Sequence, residues 1–212
     1  MPAEPAGWHS RGYLPHYDDA AALQSITYRL WDALPADVVA RLEEEALGDD
    51  RHREAIERHL DAGHGSCVLR EAANARIVLE NWHHFEHLKY RLHAWVVMPN
   101  HVHVLVEPLA GYANGDIVQS WKSYTAKRIL HGSAGGSPAV GKLAGQRPAL
   151  PAERHVWQPD YYDRFIRNER HFAAAVEYVH QNPVKAGLVE QAEAWPWGSA
   201  REWERRQLAR GS

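Results

Sequence analysis

The sequence predicts an α+β fold built on an antiparallel sheet, and three observations carry that prediction. Two β-rich runs, 90–98 and 101–107, flank Pro99 and Asn100, whose restricted φ and tolerance of left-handed geometry suit a tight turn. Helical patterns lie before and after this hairpin in the chain. A regular alternation of strand and helix is missing, which argues against a doubly wound parallel sheet. At 212 residues the chain is long enough for one domain with a proper core.

Taken in order, residues 1–10 are rich in Pro, Ala and Gly and are expected to form a mobile terminus, followed by one domain over 11–205. In 24–31, Ile26, Tyr28 and Leu30 alternate with Ser25, Thr27 and Arg29, the pattern of a first strand with one face buried. A helix is expected over 37–47 after Pro35, and a second over 51–60, where Ile56 and Leu60 are spaced i, i+4. Gly63 and Gly65 break that pattern, and 66–69 reads as a short extended run. Residues 71–85 form an amphipathic helix through Ala75, Val78, Leu79 and Trp82. Beyond the hairpin, Asn114 or Asp116 caps a helix running through Ile117, Trp121, Ala126 and Leu130. The stretch at about 132–153, rich in Gly, Pro and Ala, reads as a flexible insertion. An aromatic segment, 157–166, is a candidate strand, and a helix over 168–181 is expected to stop where Pro183 disfavours helical geometry at Asn182.

Composition narrows the function classes. A single cysteine, Cys67, excludes an internal disulfide and any cysteine-based zinc cluster, so metal ligands must be His, carboxylate or amide. No apolar run approaches membrane-spanning length and the first residues lack a signal-peptide pattern, so the expected location is cytoplasmic with no membrane contact. The formal charge of −3 does not advertise a nucleic-acid binder. Its distribution does allow one. Acids gather at Glu43, Glu44, Glu45, Asp49 and Asp50, whereas bases gather at Lys122, Lys127 and Arg128 and at Arg164, Arg167 and Arg170.

Two constellations carry chemistry. His101 and His103 are two residues apart in a strand pattern, so their side chains share a face and can converge on one ion, while Val102 and Val104 face the other way. Far along the chain, Tyr178 and Asn182 lie one turn apart on a helix and present a phenol and an amide together. A third cluster, His83, His84 and His87, has no accompanying carboxylate motif and reads as a solvated helix end.

With Met98-Pro99-Asn100-His101-Val102-His103 and Tyr178 to Pro183, the chain resembles the single-tyrosine HUH transposases, specifically the REP-associated tyrosine transposases of bacteria. Similar blocks are Gln119-Ser120-Trp121-Lys122-Ser123-Tyr124-Thr125-Ala126, Trp157-Gln158-Pro159-Asp160-Tyr161-Tyr162-Asp163-Arg164 and Asn182-Pro183-Val184-Lys185-Ala186-Gly187-Leu188-Val189, and the resemblance runs from about Arg11 to Ala200.

The resemblance implies a ferredoxin-like or RRM-like antiparallel sheet with helices packed on one face. It implies Tyr178 as nucleophile, with His101, His103 and Asn182 holding Mg²⁺ or Mn²⁺; the family often has Gln where Asn182 stands, which keeps Gln181 and His180 as alternative third ligands. The implied substrate is single-stranded DNA folded as a repetitive extragenic palindrome, cleaved through a 5′-phosphotyrosine with release of a 3′-OH. Candidate DNA contacts are Trp121, Lys122, Tyr124, Lys127, Arg128, Arg164 and Arg167, with Trp95, Tyr161 and Tyr162 as further stacking surfaces. The base that would assist Tyr178 is not named by the sequence; Lys122, Lys185 and Arg167 are candidates. Two other readings stand beside this one: a hairpin-binding protein that keeps the fold without cleaving, and a metal-dependent hydrolase using Glu107 to activate water. Monomer and homodimer are both open.

Overall fold

A computed structural model describes residues 7–10, 15–18, 22–35, 37–39, 41, 49–132 and 155–210. The predicted insertion at about 132–153, apart from Gly132, and most of the predicted helix at 37–47 lie outside the described residues. A two-stranded antiparallel ribbon is made by β1 (Gly7–Ser10) and β2 (Pro15–Asp18). Residues 7–10, expected to be mobile, are therefore paired in a strand.

The main sheet has β3 (Gln24–Arg29), β4 (Tyr90–Val97), β5 (His101–Pro108) and β6 (Tyr162–Phe165) in the spatial order β4-β5-β3-β6. All three pairings are antiparallel. With helices α1 (Asp49–Asp61) and α2 (Ala72–His84) between β3 and β4, and α3 (Asn114–Gly132) between β5 and β6, this is the ferredoxin-like βαββαβ arrangement. Helix α4 (Glu169–Lys185) and helix α5 (Ala200–Arg210) follow the last strand.

Strand alternation sorts the core into two parts. Ile26, Tyr28, Leu30, Val102 and Val104 point to one face, where Val78 and Trp82 of α2 and Ile117 and Trp121 of α3 meet them. Trp121 donates from Nε1 to the Tyr90 hydroxyl at 2.9 Å, and Tyr90 donates on to the Trp82 carbonyl at 2.7 Å, so the aromatic polar atoms are paired inside the core. On the other face, Ala94, Val96 and Leu105 pack with Val176 and Val179 of α4. The crossover helices thus share one face, as the fold implies, and the C-terminal α4 takes the other.

Two local expectations change. The run at 66–69 is not a strand: Val68–Arg70 is a 3₁₀ turn, and Cys67 before it is left-handed (φ 49°). Gly65 is required there, because at φ +84° an added Cβ would stand 2.2 Å from the Asp32 carbonyl oxygen. Helix α4 runs through Pro183 to Lys185 instead of stopping at Asn182. Proline costs little so close to the end, where a Gly187 turn (φ +68°) closes the helix: Gly187 N–H donates to the Val184 carbonyl and Leu188 N–H to the Pro183 carbonyl. Asn182 therefore sits within the helix, directly one turn beyond Tyr178.

Candidate active site

The site forms where β5 meets α4. His101 and His103 are each 1% exposed, with ring centroids 4.8 Å apart. The Tyr178 ring stands edge-on to His103 at 5.3 Å. The two constellations seen in the sequence are thus one site, across a sequence separation that no local pattern bridges.

The imidazoles are held by their Nδ1 atoms. Asn100 donates from Nδ2 to the carbonyls of Leu60 (3.1 Å) and His64 (3.1 Å), which fixes its amide so that Oδ1 accepts from His101 Nδ1 at 2.8 Å. This bond places the His101 proton on Nδ1 and leaves the lone pair on Nε2. His103 Nδ1 shares a 2.7 Å hydrogen bond with Thr27 Oγ1, which lies opposite it on β3. Burial, and then the neighbouring His103, hold the His101 pKa well below the usual imidazole range, so its ring is neutral at physiological pH.

That donor set suits a divalent ion, since both Nδ1 atoms are occupied and ligation falls to Nε2. Among the described residues, no group of three or more His, Cys, Asp or Glu side chains could hold a metal. A third ligand of amide type fits that observation. Asn182, 1% exposed, donates from Nδ2 to the Tyr178 carbonyl at 3.0 Å, which leaves Oδ1 as its acceptor atom. His180 is engaged elsewhere: its Nε2 is 3.0 Å from Ser199 Oγ and its ring packs against Trp203. Gln181 is half-buried.

Tyr178 has polar neighbours that the sequence did not disclose. Burial pushes its phenol pKa up; Glu57 of α1 adds to the rise by its charge and by a hydrogen bond, Asp61 adds further, and a hydrogen bond from Asn182 works against them. Lys185 lies over the ring, 4.8 Å from its centroid. Of the bases considered from sequence, Lys185 is thus beside the phenol, whereas Lys122 is buried on α3 with Nζ donating to the carbonyls of Pro159 (2.7 Å) and Asp160 (3.2 Å). Burial pushes Lys122 down to about 8.

The candidate DNA contacts divide by exposure. Trp121 is 1% exposed and Trp95 4%, so both rings are core and present no stacking surface. Tyr161 is also buried, and Tyr162 is half-buried. Tyr124 (48% exposed), Lys127, Arg128, Arg164 and Arg167 are at the surface. Sequence alternation does not separate a core indole from a platform one when both sit on amphipathic elements. Glu107, the candidate water-activating carboxylate, instead binds His93 Nε2 at 3.0 Å and Arg91 Nη1 at 3.4 Å. It lies four residues along β5 from His103, on the order of 13 Å away. His83 and His87 both turn to Glu86, at 2.9 and 3.9 Å, at the exposed end of α2.

Residues 76–182, just over half of the chain, match the family described as "Transposase IS200 like". This chain belongs to the IS200-like transposase family. It is similar to the REP-associated tyrosine transposase of Escherichia coli (strain K12), with 29% identity over 122 residues, 58% of this chain and 59% of that protein. The chain thus spans about three fifths of the length of that relative. The solved structure of a REP-associated tyrosine transposase bound to a REP hairpin covers 94% of this chain and 87% of its own, with a TM-score of 0.54 and 18% identity, a likeness of fold. The match to this transposase family spans His101, His103, Tyr178 and Asn182 alike. Among the described residues, no helix is long and apolar enough to cross a membrane.

Asn100 is a useful probe of how the site is held. Asn100→Ala removes the acceptor for His101 Nδ1 and leaves the buried Leu60 carbonyl and the partly buried His64 carbonyl without this donor, so it should lower stability by about 1–3 kcal/mol. Released from its tautomer, His101 should bind a divalent ion ~10- to 100-fold more weakly. Thermal melting and metal titration by calorimetry read the two effects; unchanged metal affinity with a lowered melting point would restrict Asn100 to scaffolding.

Proposed function

We propose that this chain cleaves and rejoins single-stranded DNA, folded as a palindromic hairpin of the repetitive extragenic type, with Tyr178 as the nucleophile. The observation that carries the reading is the contact of the Tyr178 ring with His103, which in turn packs against His101, inside the segment that matches the transposase family. The relative found bound to a REP hairpin supports the choice of substrate.

In this reading the Tyr178 oxygen forms a bond to phosphorus as the bond from phosphorus to the 3′ oxygen breaks, giving a 5′-phosphotyrosine and a free 3′-OH. The phenol proton leaves toward Glu57, and the departing 3′ oxygen takes up a proton. Because the phosphodiester energy is kept in the phosphotyrosine, attack by another 3′-OH rejoins the strand without a nucleotide cofactor. His101, His103 and Asn182 would hold Mg²⁺ or Mn²⁺, which supplies charge neutralisation at the non-bridging oxygens. Lys185, above the Tyr178 ring, favours the phenolate electrostatically. Tyr124 is exposed on α3, which packs on the sheet face opposite the histidine pair, so it is assigned to DNA contact.

Substrate form tests the reading. A single-stranded repeat hairpin with unpaired flanks should be cleaved far faster than the same sequence as a perfect duplex, since the flank must be unpaired to reach Tyr178. Equal cleavage of the two in a gel assay with Mg²⁺ or Mn²⁺ would indicate a duplex nuclease.

A further inference from the structure

We propose that Arg29 is a phosphate-binding residue of this site, its guanidinium holding a non-bridging oxygen of the DNA backbone next to the phosphodiester that Tyr178 attacks. The proposal rests on the strand-cleaving function proposed above and adds to it a residue that neither the HUH pattern nor the tyrosine helix contains.

Register places Arg29 on the same sheet face as the histidines. It pairs with His101 across β3 and β5, just as Thr27 pairs with His103. The neighbouring pair is joined by Leu30 N–H donating to the Asn100 carbonyl at 2.8 Å, so Arg29 and His101 occupy a non-hydrogen-bonded position. There the Cα atoms approach to about 4.5 Å and side chains lie closest.

The guanidinium is under-satisfied. Its Nη1 is shielded from solvent and has no hydrogen-bond acceptor among the described residues. Burial is the largest influence on its charge, followed by the Tyr162 phenol, with no carboxylate of the described residues named beside them. A second cation is close by: Arg29 acts by its charge on the buried Lys122, whose amine is fixed on the carbonyls of Pro159 and Asp160. A purely structural buried arginine is normally paired with a carboxylate, because a shielded donor without an acceptor is costly. A partly buried cation in register with His101 instead favours an anion, and the planar guanidinium fork matches a phosphodiester's two non-bridging oxygens.

Methylphosphonate scanning tests this. Single-stranded repeat hairpins carrying one neutral methylphosphonate at successive positions are titrated, without divalent metal, against wild type, Arg29→Gln and Arg29→Lys. In wild type, one position within about a nucleotide of the cleaved bond should weaken binding roughly ten- to a hundredfold, the scale of a charge-assisted hydrogen bond. In Arg29→Gln that penalty should fall below about twofold, a coupling that a merely structural arginine would not produce. Arg29→Lys keeps the charge without the fork, so an intermediate penalty is expected, and it carries the test if Arg29→Gln melts at low temperature. An equal penalty in wild type and in the folded variants overturns the proposal. Binding is read without cleavage, so a wild type that binds but forms no adduct defeats the cleavage reading and leaves the Arg29 coupling measurable. A wild type that binds no hairpin overturns both.

Discussion

Tyr178→Phe should abolish the covalent adduct between protein and DNA while the fold and hairpin binding persist. The substitution removes one oxygen and keeps the ring that packs 5.3 Å from His103, so α4 retains its seat on the sheet. The phenol is neutral at neutral pH in the folded and unfolded chains alike, so its raised pKa does not bear on stability there, and losing the hydroxyl's hydrogen bonds with Glu57 and Asn182 should cost about 1 kcal/mol. Loss of adduct by on the order of 10³-fold or more, in a variant still folded at the assay temperature, is then a chemical effect. Tyr124→Phe, at an exposed position of α3, should keep the adduct. An adduct that survives in Tyr178→Phe and disappears in Tyr124→Phe would reverse the assignment.

Removing either histidine should be nearly as severe. His101→Ala and His103→Ala each delete an imidazole whose Nδ1 is anchored, by Asn100 at 2.8 Å and by Thr27 at 2.7 Å, and with it the Nε2 that remains for a ligand. Cleavage should drop by on the order of 10³-fold, the scale for removing a group that acts only in the chemical step. Hairpin affinity should change little, because surface bases such as Lys127, Arg128 and Arg164 are untouched. Chelation of the divalent ion should reproduce the cleavage defect in wild type. Full cleavage by either variant in metal-containing buffer would remove His101 and His103 from the chemistry.

Much of this was legible in the chain, for physical reasons. The turn at Pro99 and Asn100 and the period-two alternation around it carry the hairpin, and alternation alone puts His101 and His103 on one face. Helical spacing likewise puts Tyr178 one turn from Asn182. What joins the two is tertiary, and the resemblance to a family, not periodicity, brings them together. Register stayed hidden, because no local pattern states that Thr27 lies opposite His103 or Arg29 opposite His101. The supporting role of Asn100 was hidden too: its partners are carbonyls of Leu60 and His64, about forty residues earlier, and a turn asparagine looks the same whether or not its amide is used. Trp121 shows the reverse error. Next to Lys122 and Tyr124 it looked like a base-stacking residue, but its face of α3 is the core face, and its indole is spent on Tyr90. Pro183 was expected to end the helix, yet a proline in the last turn forfeits few hydrogen bonds when the Gly187 turn supplies others.

The most direct test of the central claim is the polarity of the adduct formed by wild-type protein on a single-stranded repeat hairpin with Mg²⁺ or Mn²⁺. With attack by Tyr178 on phosphorus and departure of the 3′ oxygen, a label on the 3′ side of the nick should shift with the protein on a denaturing gel. A label on the 5′ side should instead run as a shorter strand ending in a free 3′-OH, and tryptic mapping should find the DNA on Tyr178. A protein-linked label from the 5′ side, or no adduct with either ion despite tight hairpin binding, would contradict the account.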